Sequence, residues 1–188
     1  KEGNRVSAGI RDLESLEGSI IDPRNWPNEQ LILNKYDALD KNSPKNWISN
    51  TVKSFGSFDT LINCAGILSK VPFLYKDDDL DEIDKTMKIN FLAVWDLSRL
   101  CWEYLSSSKN GRIISIVSMS GKRSKGNLAA YSCSKFALMS ICQTMRNVGW
   151  EKGIRVTTIC PSWVNTKMAK GVKTIDKIEM SQPEDISE

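Results

Sequence analysis

The sequence predicts an α/β fold built on a parallel sheet, because short apolar runs alternate with longer segments of helical periodicity. The runs are rich in Ile, Leu and Val, which is typical of buried strands. Each intervening segment is long enough for the crossover connection of a βαβ unit. One run ends at Ser118, where a hydroxyl would face the crevice in which open α/β sheets bind ligands.

Five apolar runs are predicted as strands, since each is short and bounded by turn residues. In chain order they cover residues 5–10, 30–33, 60–63, 112–117 and 154–160. The first two are separated by the turn-rich residues 22–27.

The helices follow from capping residues and apolar periodicity. Ser43 and Pro44 form a start signal, a capping residue followed by proline at the first helical position. The predicted helices begin at Asp12, run from Ser43 to about residue 55, cover residues 78–105 with a break near Asn90, cover residues 128–151, and begin again at residues 182–186.

Composition is that of a globular domain, with 188 residues, 40% hydrophobic content and a net charge of +3. That charge is too small to indicate nucleic-acid binding. No run approaches the roughly 18 apolar residues of a membrane span, and no signal peptide opens the chain, so we expect no membrane partner. Without histidine, a Ser-His-Asp hydrolase is excluded and no metal site is predicted.

The cysteines lie within predicted strands and helices and lack the paired spacing of a metal site. They are Cys64, Cys101, Cys133, Cys142 and Cys160. This pattern predicts buried free thiols in a reducing compartment, and hence a cytoplasmic location.

Tyr131 and Lys135 are the most informative pair in the chain. Positions i and i+4 share a helix face, so the ammonium can lie beside the phenol. A nearby cation would lower the pKa of the Tyr131 phenol from its reference value near 10 towards the working range. With the Ser118 hydroxyl, the pair could move a proton onto a carbonyl oxygen.

Other motifs support this chemistry because they occur in a fixed order around it. Asn63-Cys64-Ala65-Gly66 follows the third strand, Asn90 lies within the long helical segment, and Pro161 opens a loop after the fifth strand. With these motifs the chain resembles the short-chain dehydrogenase/reductase family from about Asn4 to its end. The resemblance implies a doubly wound parallel sheet, the Rossmann fold, which binds NAD or NADP and transfers hydride to or from a carbonyl or alcohol carbon.

The resemblance also implies roles for the catalytic residues. Tyr131 would be the proton donor in reduction and the base in oxidation. Lys135 would lower the pKa of Tyr131 and bind the nicotinamide ribose. Ser118 would hold the substrate oxygen. Asn90 would support a proton relay beside Lys135. Taken alone, Asn90 would be interpreted as a helix-cap or kink asparagine, and its place between Asn63 and Ser118 favours the functional role.

Further residues would contact the cofactor by the same resemblance. Asn63, Ala65 and Gly66 would lie along the adenosine ribose, and Asp37 would accept from the adenine amino group. The nicotinamide carboxamide would meet the loop that contains Pro161, Val164 and Thr166.

Arg11 decides the predicted cofactor. It follows the first predicted strand, where an aspartate would accept from the 2′-hydroxyl of NAD and an arginine would pair with the 2′-phosphate of NADP. NADP is therefore expected, with NAD the alternative.

The family's glycine-rich phosphate-binding turn is not found in the sequence. We therefore expect residues 1–188 to be a single NAD(P)-binding domain that lacks the first strand, with its glycine-rich turn, and the last strand. A sheet without its central strand should leave strand edges and apolar faces uncovered.

The apolar helices around Asn90 and Tyr131 correspond to those that join subunits in the family, which predicts a homodimer or homotetramer. The basic turn from Lys122 to Lys125, near the expected pocket rim, is interpreted as a solvated surface, with attraction of an acidic substrate as the alternative. The favoured function is an NADP-dependent oxidoreductase acting on a small carbonyl or alcohol substrate. The alternatives are a cofactor-binding sensor without turnover and, on weaker grounds, a nucleotide-sugar epimerase or dehydratase.

Overall fold

A computed structural model describes residues 3–14, 16, 19, 21–27, 29–124, 126–170, 172 and 175–187. Its strands confirm the five predicted runs, with boundaries that differ by no more than a few residues. They are β1 (Val6–Ile10), β2 (Leu31–Lys35), β3 (Thr60–Asn63), β4 (Arg112–Ile116) and β5 (Arg155–Ile159).

The main helices also agree with the predicted segments. They are α1 (Ser43–Phe55), α2 (Leu80–Met87), α3 (Ala93–Ser107), α4 (Ala129–Gly149) and α5 (Pro183–Ser187). Helix α1 ends at Gly56, whose φ of 78° is readily adopted only by glycine. The expected break near Asn90 is a single π-helical turn, Lys88–Leu92, which joins α2 to α3 without interrupting the helical path.

The helix predicted from Asp12 is not formed in residues 12–14, so that prediction was wrong for the described part of the segment. The Asp12 carboxylate instead accepts a hydrogen bond from the backbone N–H of Glu14 at 3.0 Å. Such a local bond offers the backbone an alternative to the helical pattern. Ser15, Glu17, Gly18 and Ile20 lie outside the described residues.

All strand pairs are parallel, and the α/β fold class is confirmed. β1 pairs with β2, whereas β3, β4 and β5 form a second sheet in that order. A cavity of about 470 Å³ is lined by residues of both β1 and β3, including Ser7 and Leu61. Among the described strands, β1 pairs only with β2, and β3 pairs only with β4.

Helices α1, α3 and α4 form one layer against the strands, since α1 contacts β2, α3 contacts β3 and α4 contacts β5. The core between them is apolar, and its fully buried side chains include Leu105, Ile113, Leu138 and Ile154. On the opposite face of β3, Ile62 is 56% exposed, which agrees with the expected uncovered apolar surface.

Burial of the cysteines is only partly as predicted. Cys101 and Cys142 are buried free thiols, whereas Cys64 and Cys133 are exposed. Burial raises the pKa of Cys101 to about 12, so that this thiol is protonated at neutral pH. Among the described residues no helix is long and apolar enough to cross a bilayer.

Candidate active site

Ser118, Tyr131 and Lys135 line one pocket of about 340 Å³. Ser118 lies just beyond the carboxyl end of β4, while Tyr131 and Lys135 lie one turn apart near the start of α4. The three residues are thus brought together by one strand and the helix that follows it, as predicted. Carboxyl ends of parallel strands are where α/β sheets bind their ligands.

Ser118 has an unusual backbone, with φ of 153° and ψ of 158°. Non-glycine residues rarely occupy this region, and the conformation costs on the order of 1–3 kcal/mol. The Ser118 hydroxyl oxygen accepts a hydrogen bond from the backbone N–H of Ser120 at 3.0 Å. The residue therefore caps a short 3-10 turn, Met119–Gly121, which turns the chain back towards α4.

Gly121 allows this turn to lie directly on α4. A Cβ atom at Gly121 would meet Val117 Cγ1 at 2.7 Å and the carbonyl oxygen of Lys135 at 2.8 Å. Both distances are shorter than real Cβ contacts, so only glycine fits without displacement. The close approach holds the Ser118 turn beside the helix that carries Tyr131.

Tyr131 is buried, with only 8% of its surface exposed. Burial raises the pKa of the Tyr131 phenol above its ordinary value, and the Ser118 side chain offsets part of that rise. The expectation that Lys135 lowers this pKa is not met, because the Lys135 Nζ atom lies 5.7 Å from the Tyr131 ring centroid and is bonded elsewhere. The phenol is therefore protonated at neutral pH, as a proton donor must be.

Lys135 is 4% exposed, and its Nζ donates to the carbonyl oxygen of Ile116 at 3.1 Å. Burial lowers the pKa of Lys135 to about 8, because the charged ammonium loses its hydration. Cys64, Cys142 and Cys160 have a smaller and opposite effect on this pKa. The ammonium remains mostly charged at neutral pH.

Asn90 is completely buried at the centre of the π-helical turn. Its Oδ1 accepts from the backbone N–H of Ile67 at 2.8 Å, and its Nδ2 donates to the Ile67 carbonyl at 2.9 Å and the Ser134 hydroxyl at 3.0 Å. Asn90 thereby fixes the loop after β3 to α4, one residue away from Lys135. Single π turns of this kind often occur at functional sites.

Gly66 lies between the same groups. A Cβ atom at Gly66 would be 3.3 Å from Asn90 Oδ1 and 3.6 Å from Lys135 Nζ. Ala65 is exposed beside it, so small residues leave the backbone of this loop open to the pocket.

Asn63 differs from its neighbours because its side chain is directed inward. Along β3 it shares the buried face with Leu61, and its Nδ2 donates to the hydroxyls of Ser98 and Ser115, each at 3.3 Å. These bonds link β3 to α3 and β4. Asn63 is therefore buried inside the fold and does not line the pocket.

The loop after β5 forms the opposite wall and contains Pro161, Val164 and Thr166. A bridge between Val164 and Ser181 holds this loop, reinforced by a hydrogen bond from Asn165 N–H to the Ser181 carbonyl at 2.9 Å. On the other side, the Met119 N–H donates to the Pro161 carbonyl at 2.9 Å. The wall is therefore fixed to both the Ser118 turn and the segment before α5.

Arg11 and Asp37 lie apart from this pocket, beyond the carboxyl ends of β1 and β2. Arg11 is exposed, and none of the described residues forms an ion pair or hydrogen bond with its side chain. The Asp37 carboxylate accepts from the Leu39 N–H at 2.9 Å, and the Asp37 N–H donates to the Ser43 hydroxyl at 2.8 Å. Both lie at one end of the β1–β2 sheet.

Several pocket residues were not predicted from the sequence, since no local motif marks them. The apolar ones include Leu68, Met119, Leu128, Trp163 and Ile186. The charged one is Arg123, from the basic turn interpreted above as a solvated surface. These residues come from separate parts of the chain, and only the fold brings them together.

The pocket suits the nicotinamide end of a dinucleotide. Gly66 lets a flat ring approach the backbone, while the Tyr131 phenol and the Lys135 ammonium supply hydrogen-bond donors in the same space. No group of His, Cys, Asp and Glu suited to a metal ion occurs among the described residues.

A family model described as short chain dehydrogenase matches residues 1–176 of the chain. The chain is 35% identical over 185 residues to an agropine synthesis reductase of Rhizobium rhizogenes, covering 98% of this chain and 42% of that protein. It is 30% identical over 164 residues to a dehydrogenase/reductase SDR family protein 7-like of Anopheles gambiae, covering 87% and 49%. The chain thus spans about half the length of these curated relatives, or less.

A solved structure with the same fold is a short chain dehydrogenase from Burkholderia cenocepacia in complex with NADP. Its TM-score to this chain is 0.79 at 20% sequence identity, with 98% of this chain and 70% of that chain covered. At this sequence identity the similarity establishes only the fold. The chemistry has to be inferred from the residues that line the pocket.

Proposed function

Because this chain belongs to the short-chain dehydrogenase family, we propose that the protein is an NADP-dependent oxidoreductase. It transfers hydride between the nicotinamide and a carbonyl or alcohol substrate, with residues 1–188 as a single NAD(P)-binding domain. The observation that carries the proposal is the meeting of Ser118, Tyr131 and Lys135 in one pocket. The bound nicotinamide would supply the hydride, and the side chains would handle the proton.

In the reducing direction Tyr131 donates its phenolic proton to the substrate oxygen. The raised pKa of Tyr131 keeps that proton in place until negative charge develops on the oxygen. The Ser118 hydroxyl, close enough to interact with the phenol, holds the same oxygen. Oxidation reverses these roles.

Lys135 and Asn90 support the donor. The Lys135 ammonium lies 5.7 Å from the centre of the Tyr131 ring, where it would bind the nicotinamide ribose and hold the cofactor beside the donor. Asn90 holds the loop of Gly66 against α4, which keeps the Lys135 side of the pocket in position. Asn90 acts through these contacts and is a positioning residue.

NADP is the proposed cofactor because Arg11 follows β1 with an exposed guanidinium. A guanidinium pairs well with a phosphate, whereas the free ribose of NAD offers only hydroxyls. Asp37, beyond the adjacent strand β2, accepts from the adenine, and Pro161, Val164 and Thr166 bind the carboxamide.

We also propose assembly into a homodimer or homotetramer through α3 and α4. Both helices expose large apolar side chains, among them Trp95 at 45% and Phe136 at 44%. The buried free thiols of Cys101 and Cys142 support a cytoplasmic location.

Tyr131→Phe in the complete protein tests the function. Removal of one hydroxyl should lower kcat for reduction about 10²–10⁴-fold, since general acid catalysis is typically of that size. The ring is retained, so the dissociation constant of NADPH should stay within about twofold. Steady-state kinetics and fluorescence titration measure the two quantities.

Tyr104→Phe is the matched control, because Tyr104 is an exposed tyrosine on α3 outside the pocket. It should keep full activity. A loss below about tenfold in Tyr131→Phe would refute the assigned role. A wild-type protein that binds NADPH and reduces no member of a carbonyl panel would favour the sensor.

A further inference from the structure

The charges around the pocket are unbalanced. Among the described residues that line it, Lys135 and Arg123 carry positive charge and no carboxylate is present. Lys135 is bonded to the Ile116 carbonyl and lies beside Tyr131, at the reacting end. Arg123 is therefore the charge available to the rest of a ligand.

Arg123 reaches the pocket from the turn that Ser118 begins. Its backbone N–H donates to the Met119 carbonyl at 3.0 Å, and Met119 itself lines the pocket. The neighbouring Lys122 also donates to this carbonyl, yet its side chain is exposed and lies outside the lining. Arg123 is exposed as well, but of these two adjacent cations only Arg123 contributes to the pocket wall.

The Arg123 guanidinium has no protein partner within the described part of the chain. No hydrogen bond, ion pair or ring contact engages it there. Helix α5, which contributes Pro183 and Ile186 to the pocket, carries the carboxylates of Glu184 and Asp185. One of these, Asp185, already accepts from the Gln182 N–H at 2.6 Å.

Much of the remaining wall is apolar, including Leu68, Leu128, Trp163 and Ile186. Apolar walls lower the local dielectric and strengthen any pairing between a cation and an anion inside them. They also favour an apolar substrate body. A guanidinium at the edge of such a pocket matches a planar carboxylate with two parallel N–H donors.

We propose that the substrate of the pocket is an acidic carbonyl compound, or the corresponding hydroxy acid, and that Arg123 binds its carboxylate. The proposal rests on the oxidoreductase function above and adds the substrate class. Arg123 determines specificity, while Ser118, Tyr131 and Lys135 perform the chemistry. A phosphate of the cofactor is the other anion that a guanidinium could bind, and the test separates the two.

The test compares acid and ester forms of the same substrate in the complete protein. The probes are benzoylformate and its methyl ester, with 3-oxobutanoate and its methyl ester as a second pair. Arg123→Gln should lower kcat/KM for the acids about tenfold to a hundredfold, the range expected for a lost charge-assisted pair. The esters should change by less than about twofold, and so should the KM for NADPH.

Lys122→Gln is the matched control and should leave acids and esters equally unaffected. Equal losses for acids and esters in Arg123→Gln, or no loss for either, would overturn the proposal while the oxidoreductase function stands. A selective rise in the KM for NADPH would assign Arg123 to the cofactor and also overturn it.

Calorimetric titration with mandelate gives a readout that does not require turnover. Wild-type protein saturated with NADPH, which cannot transfer hydride to mandelate, should bind this hydroxy acid, and Arg123→Gln should bind it at least tenfold more weakly. If mandelate binds in this way but no substrate is reduced, the inference holds and the proposed function fails. If wild-type protein neither binds mandelate nor reduces the acids, the inference is wrong.

Discussion

Lys135 combines a positive charge with a position that is almost entirely buried. Its folded-state pKa of about 8 lies below the ordinary value of 10.5, so the unfolded chain binds this proton more tightly. The resulting cost to stability is complete below pH 8, declines as pH rises and vanishes above 10.5. The buried position of the Lys135 ammonium is thus maintained at the expense of stability.

Lys135→Met should therefore be more stable relative to wild type at pH 7 than at pH 9.5. The shift in pKa corresponds to about 3 kcal/mol at pH 7 and about 1 kcal/mol at pH 9.5, so the relative gain should shrink by about 2 kcal/mol. Urea unfolding of both complete proteins at the two pH values measures it. Lys152→Met, at an exposed position, is the control. A difference between wild type and variant that does not change with pH would contradict the assigned burial effect.

The proposed choice of NADP over NAD depends on one residue, Arg11. Arg11→Ala should weaken NADPH affinity roughly tenfold to a hundredfold, the equivalent of about 1.5–3 kcal/mol for a charge-assisted pair. NADH has no phosphate at that position, so its affinity should change little. Steady-state kinetics of Arg11→Ala with NADPH and with NADH distinguish a role in binding the phosphate from a structural role. Equal losses would indicate a structural role, and a wild-type preference for NADH would reject the NADP assignment.

The Met119–Gly121 turn and α4 act as one unit in the site. The turn contacts α4 at Gly121, next to the Lys135 carbonyl. Ser118 precedes the turn and Arg123 follows it, so the turn positions both residues. Precise placement of the turn therefore depends on the absence of a side chain at one position. This is a property of two packed elements rather than of either alone.

Gly121→Ala should displace the turn and destabilise the protein by roughly 1–3 kcal/mol, as overpacking of a close contact usually does. The displacement should also raise the KM for the carbonyl substrate, because Ser118 moves with the turn. Gly126→Ala is the control, since a Cβ atom at Gly126 meets nothing within 4 Å. An unchanged melting temperature and KM in Gly121→Ala would show that the turn tolerates the extra atom.

The apolar faces of α3 and α4 are the feature of the whole molecule that predicts assembly. Trp95→Glu places a charge on the exposed face of α3 and should shift the complete protein towards monomer, because burying an unpaired charge is costly. Light scattering coupled to size-exclusion chromatography measures the mass. Ile178→Glu, at a position 91% exposed outside both helices, is the control. A wild-type protein that is monomeric would refute the proposed interface.

The parallel sheet is also a property of the whole molecule. The strands and their parallel order were predictable because apolar runs and helical crossovers leave a clear periodic pattern. The absence of a helix at residues 12–14 was not predictable. An aspartate can either start a helix or close a local turn, and the residue type alone does not decide between the two.

The sequence by itself determined the α/β class, the shared face of Tyr131 and Lys135, and the place of Ser118 at a strand end. These depend on the periods of helix and strand, which are local. Only the tertiary structure decided the inward direction of Asn63, the lowered pKa of Lys135 and the place of Arg123, rather than Lys122, on the pocket wall. Burial and pocket lining arise from contacts between residues distant in the chain, and no local period encodes them.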